Sequence, residues 1–90
     1  MAQVKFTSHL QRFFPDLQPG EIEGQTIAEI IIALDKRYPG IAAYIVDEHG
    51  ALRKHVNIFV GDGLVNDREK LSDAVSSADR VYIFQALSGG

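Results

Sequence analysis

The sequence predicts an α+β domain: a mixed sheet of four to five strands with one long helix packed across one face. Three observations point there. Residues 3–7, 53–60 and 80–85 alternate polar and apolar side chains, the period of a half-buried strand. A single segment beginning at Thr26 carries apolar residues at helical spacing behind an N-terminal cap. The elements run strand, strand, helix, strand, short strand, strand, and one helix cannot cover both faces of a sheet. Ninety residues suit one domain. A chain of this size buries roughly 60–65% of its unfolded surface, so the core is small.

Residues 3–7 give the first strand by strict alternation. Residues 8–20, with Phe13-Phe14-Pro15 inside and Pro19-Gly20 at the end, read as a loop or wide hairpin connection. Residues 21–23 form a second short strand ending at Gly24. Thr26 then caps the helix, and Glu29 three positions on completes a capping box. Ile27, Ile30, Ile31 and Leu34 lie on one helical face, Tyr38 continues it, and Pro39-Gly40 stops it. Residues 41–46 add one more helical turn, and Asp47-Glu48-His49-Gly50 is a turn. In the third strand, residues 53–60, Val56, Ile58 and Val60 point one way and Asn57 and Phe59 the other. Gly61-Asp62-Gly63 is a hairpin connection with an Asp-Gly signal, and Leu64-Val65 starts the returning strand. A short helical turn at 68–72, a connection at 75–79 and the last strand at 80–85 complete the body.

Composition excludes several functions. A net charge of −3 leaves no basic stripe to neutralise phosphates, which argues against nucleic-acid binding. No apolar run approaches the ~20 residues of a membrane span. The polar start flows directly into a strand pattern with no secretory leader, so a cytoplasmic protein is expected. Without cysteine there is no disulfide, no thiolate metal site and no cysteine nucleophile. Gly61-Asp62-Gly63 lacks the third glycine and the following long helix of a dinucleotide fingerprint. His9, His49 and His55 are scattered, with no pair at metal-ligand spacing. Ser8 and His9 beside Asp16 fail as a nucleophile and base, because strand neighbours point to opposite faces. Asp47-Glu48 is a solvated turn pair. No internal constellation supports an enzyme.

What remains is a tail and a surface. The body is expected to span residues 1–85, and residues 86–90 to form a flexible Gly-Gly tail. Two final glycines bury nothing and cost backbone entropy to order. They do suit a chain end that threads a narrow channel, with Leu87, Ser88 and Gly89 passing through and the Gly90 carboxylate leading. Five extended residues reach roughly 16–18 Å. A frayed end or an expression scar is the alternative reading. On the last strand, alternation sends Val81 and Ile83 to the helix-covered face and Tyr82 and Phe84 away from it. Phe59 does likewise, so Phe59, Tyr82 and Phe84 form a candidate partner-binding patch. The alternative is that Phe13 and Phe14 fold over and bury them.

Taken together, these residues resemble the ThiS/MoaD sulfur-carrier family of ubiquitin-like, β-grasp proteins. The likeness rests on the Thr26-capped helix, on His55-Val56-Asn57-Ile58-Phe59-Val60-Gly61, and on Asp79-Arg80-Val81-Tyr82-Ile83-Phe84 leading to Ser88-Gly89-Gly90. It is strongest to the branch that carries sulfur for cysteine biosynthesis, and next to the molybdopterin-synthase small subunits. The resemblance implies a β-grasp sheet with the first and last strands side by side at its centre.

It also implies that the protein is a co-substrate and not an enzyme, with no permanently bound cofactor. A ubiquitin-activating-like adenylyltransferase would use ATP to adenylate the Gly90 carboxylate. A sulfur donor protein of desulfurase or rhodanese type would convert it to a thiocarboxylate, and a sulfur-accepting biosynthetic enzyme would receive the sulfur. The free protein would be a monomer. The alternatives are a ubiquitin-like modifier conjugated through Gly90 and a plain ubiquitin-like interaction module.

Overall fold

Alternation along the first strand, β1 (Ala2–Phe6), buries Ala2 and Val4 and exposes Gln3 and Lys5. The computed structural model describes residues 2–85, with Ser8 and His9 by backbone alone. β1 pairs antiparallel with β2 (Gly20–Ile22), Gln3 opposite Glu21. On its other side it pairs parallel with the last strand, β5 (Arg80–Gln85), Val4 opposite Val81. β5 pairs antiparallel with β3 (Val56–Val60), Ile58 opposite Ile83, and β3 with the two-residue β4 (Gly63–Leu64). The strand order is β2-β1-β5-β3-β4. This is the expected mixed β-grasp sheet, with first and last strands adjacent and β5 at the centre.

One face of that sheet carries Val4, Ile22, Val56, Ile58, Val81 and Ile83, all buried. They share a single core with Ile27, Ile30, Ile31 and Leu34 of the main helix, α2 (Ile27–Arg37). Its N-terminus is fully served. Thr26 Oγ1 accepts from the Glu29 N–H at 3.2 Å, and Glu29 Oε1 accepts from the Gln25 N–H at 3.1 Å. The capping box is therefore present, with the return bond reaching one residue before the cap. The next two donors, Ile27 and Ala28, bond the carbonyls of Asp73 and Leu71 at 3.1 and 2.9 Å. Residues 71–75 thus strap the helix start, and Leu71, buried, takes a positive φ of 54° to do so.

Beyond one-residue shifts of β1, β2 and β4, the structure departs from the sequence reading in four places. Residues 8–13 form a six-residue helix, α1 (Ser8–Phe13), inside the expected loop. It is too short to show a period, and what anchors it is the burial of Leu10. Residues 68–72 make a turn and not a helix, because Asp67 collects the N–H groups of Glu69, Lys70 and Ser72. The third strand starts at Val56, three residues late, since the Arg53 N–H bonds Ile45 of α3 (Ala42–Ile45) and the Val56 N–H turns back to Arg53. In the β3–β4 hairpin Val60 pairs with Gly63, so the central residues are Gly61-Asp62 and not Asp62-Gly63. Only Gly61 takes positive φ, at 64°, the pattern of a type II′ turn.

Candidate functional site

Side chains on β3 and β5 that point away from the core lie next to one another on the opposite face of the sheet. Register sets Phe59 opposite Tyr82 and Asn57 opposite Phe84. The Phe59 and Phe84 rings stack at 5.4 Å, and Tyr82 meets Phe84 at 5.6 Å. The three residues named from sequence are therefore one contiguous cluster on the sheet face opposite α2. Tyr82 keeps 39% of its surface exposed, while Phe59 and Phe84 are half-buried. Phe13 and Phe14 pack on Tyr44 of α3, at 4.9 and 5.4 Å. The cluster extends to Leu64, opposite Phe59 and 52% exposed, and is flanked by Lys5 opposite Tyr82. Leu64 was missed in the sequence reading; counting across the hairpin from Phe59 finds it.

Beside the cluster stands Arg68. Its guanidinium donates to Asn57 Oδ1 at 2.6 Å and to the carbonyls of Arg53 and Val56 at 2.9 and 3.0 Å. These bonds tie the 66–75 connection to the start of β3. No sequence signal points to them, since Arg68 and its acceptors are joined only by tertiary contact.

The described residues hold no candidate metal centre. No group of three or more potential metal ligands occurs there. His49 and His55 are exposed, and His49 lies 3.7 Å from Glu48 on the surface. Asp47 is structural: its carboxylate accepts from the His49 and Ala51 N–H groups at 2.8 and 3.1 Å, and the His49 bond most strongly holds its pKa below the usual range. No helix in the described residues is long and apolar enough to cross a membrane. The tail residues Leu87, Ser88, Gly89 and Gly90, with the expected boundary at residue 86, lie outside the described residues. What the structure does fix is their point of departure. They follow Gln85, the last residue of the central strand, which stands opposite Val56 at the end of the molecule that carries α1 and α3.

A model of the ThiS family matches residues 4–90. The chain is 35% identical over 69 residues to the sulfur carrier protein CysO of Mycobacterium tuberculosis, covering 74% of each sequence. It superposes on the Amycolatopsis orientalis BexX/CysO complex with a TM-score of 0.85 and 28% identity, covering all of both chains. Mycobacterium tuberculosis CysO superposes with a TM-score of 0.83 at 27% identity, over 97% of this chain and 100% of that one. The small archaeal modifier protein SAMP1 of Haloferax volcanii shares the fold, with a TM-score of 0.76 at 20% identity over 99% of this chain and 98% of that one.

Proposed function

The chain belongs to the ThiS family, and on that premise we propose that it is a sulfur carrier whose reactive group is the Gly90 carboxylate. It acts as a protein co-substrate. The observation that supports this reading is the placing of β5: a strand gripped by β1 and β3 on its two sides leads directly into Ala86-Leu87-Ser88-Gly89-Gly90. A body held that firmly presents the last residues at one fixed end, and the bare backbone at Gly89 and Gly90 suits a channel too narrow for side chains.

Two steps follow chemically. A carboxylate is a poor electrophile, so an adenylyltransferase of the ubiquitin-activating type joins a Gly90 oxygen to the α-phosphorus of ATP and releases pyrophosphate. A sulfur nucleophile from a desulfurase- or rhodanese-type donor then displaces AMP from the acyl carbon. With a persulfide donor, a second thiol reduces the resulting acyl disulfide and frees the thiocarboxylate. Sulfur rides on carbon, so the carrier needs no cysteine. The likeness to CysO favours cysteine biosynthesis as the receiving pathway. Phe59, Tyr82 and Phe84, with Leu64 beside them, form the surface that the activating enzyme grips.

Intact mass spectrometry tests the reading. After incubation with the cognate adenylating enzyme, ATP and a sulfur donor, the chain gains the mass difference of one sulfur for one oxygen. Conjugates to other proteins would mark a modifier instead. An unchanged mass with an adenylating enzyme active on another carrier overturns the proposal.

A further inference from the structure

On the side of the molecule away from the aromatic sheet face runs the outer surface of α2. Ile27, Ile30, Ile31 and Leu34 are turned inward and buried, so the opposite stripe should be polar. Ile32 breaks it at its middle, 58% exposed. It stands as a ridge between two grooves and lines both. One groove is apolar, with Ala28, Ile31, Ala42, Val46 and Leu71 along it. Its far edge carries Glu69 and Lys70, of opposite charge, and His49, which lies by Glu48. The other groove is charged, with Glu23, Glu29 and Lys36 around Ala33.

The charges of the second groove are ordered. Glu29 and Lys36 are seven positions apart, so they share one side of the helix about 10.5 Å apart along its axis, too far to pair with each other. Among the described residues neither they nor Glu23 forms an ion pair. Glu29 Oε1 accepts the Gln25 N–H, a bond that leaves the negative charge in place. Asp35, the remaining acid of α2, has its carboxylate bonded to the Gly40 and Ala42 N–H groups at 3.1 Å each.

A stripe with an acid toward one end, a base toward the other and an apolar ridge between them is complementary to itself run backwards. An antiparallel copy centred between Ile32 and Ala33 sets Glu29 opposite Lys36 of the second copy, and the reverse. It also sets Ile32 opposite Ala33, a bulky side chain against a small one. A two-fold axis keeps each side of the stripe facing its own kind, so apolar groove meets apolar groove and charged groove meets charged groove. We propose that the outer face of α2 docks a second copy of this chain, the two helices antiparallel about an axis beside Ile32. An 11-residue helix is only about 16 Å long, so the contact is small and the dimer weak. Dilute chains stay the monomer expected from the family resemblance, and concentrated ones pair back to back. Phe59, Tyr82 and Phe84 lie on the opposite face and stay open, so dimerisation does not depend on the carrier reading.

Sedimentation equilibrium of the full chain at low salt, from about 10 µM to about 1 mM, tests this. The weight-average mass is expected to rise from that of one chain toward that of two, with a dissociation constant on the order of 100 µM. Ile32→Gln, a helix-compatible change on an exposed ridge, should weaken association about tenfold or more. Lys36→Glu and Glu29→Lys should each abolish self-association, since each sets like charges together on both sides of the axis. Mixed in equal amounts, the two variants should associate again, because the mixed pair has opposite charges at both positions. Thermal melts establish that the variants are folded. A wild-type chain that keeps the mass of one chain up to about 1 mM overturns the proposal. So does a mixture of the two charge variants that stays monomeric. Association that survives Ile32→Gln and is lost in Phe84→Ala would place the contact on the sheet face, and overturns it too.

Discussion

Asp67 accepts from the N–H groups of Glu69, Lys70 and Ser72 and from the Ser72 hydroxyl, and these bonds turn the chain so that Leu71 reaches the core. Bonds to the charged form lower its pKa to about 2, the Lys70 N–H contributing most. The sign follows. The folded-state pKa is depressed, so the stabilisation is present above the ordinary carboxylate pKa of about 4 and is lost as pH falls through about 2. Asp67→Asn is therefore expected to melt below wild type at pH 7, and the gap should close between about pH 4 and pH 2. Melting curves across that range check it, and a gap that stays constant would locate the effect elsewhere. Gly24 is a second single-residue constraint: a Cβ there would stand 2.8 Å from the Ile30 nitrogen and 3.1 Å from the Glu29 carbonyl carbon. Both atoms belong to the α2 backbone and cannot move aside alone. Gly24→Ala should accordingly lower the melting temperature well beyond the loss expected for an ordinary surface substitution. Neither role was legible in the sequence, because the partners of Asp67 are backbone groups and those of Gly24 lie across a turn.

At the scale of elements, α2 was the most legible part of the chain. Its cap, its stop and all four buried residues follow from local spacing, and the structure keeps each of them. β5 and the core side of β3 were legible for the same reason: period 2 needs no tertiary information. Periodicity did not, however, set β1 next to β5; that placing came from the family resemblance. The strap at 71–75 was illegible, since it depends on a positive φ at Leu71 and on carbonyls that happen to face the helix start. Two substitutions separate local from tertiary support. Thr26→Ala removes one acceptor for the Glu29 N–H and should cost about 1 kcal/mol, because Leu71 and Asp73 still serve Ala28 and Ile27. Ile30→Ala opens a cavity where α2 meets the sheet and should cost ~2–5 kcal/mol. Urea denaturation of the two variants gives both numbers, and an Ile30→Ala cost under about 1 kcal/mol would mean that the core closes without it.

For the whole molecule, the proposed function divides the labour between body and tail, and on that proposal stability and activity should be separable. The described core closes at Ile83 on β5, and every buried residue in it is apolar. Glycine has no side chain to bury, so deleting Gly90 is expected to leave the thermal midpoint within the range of surface changes. The same deletion draws the terminal carboxylate back by one residue, up to about 3.6 Å. A near-attack geometry on the α-phosphorus tolerates far less than that, since a misplacement of about 1 Å can cost roughly 100-fold in rate. Exchange activity should therefore vanish while the fold persists. Phe84→Ala should do the reverse. Phe84 stacks on Phe59 and is half-buried, so its loss should lower the midpoint and raise KM through the weakened sheet face, yet leave kcat near wild type at saturating enzyme. Melts and ATP–pyrophosphate exchange on the two variants decide the matter. If Phe84→Ala lowers kcat as deeply as the Gly90 deletion does, the aromatic face shapes the reacting geometry itself, and the assignment of gripping to the sheet and chemistry to the tail fails.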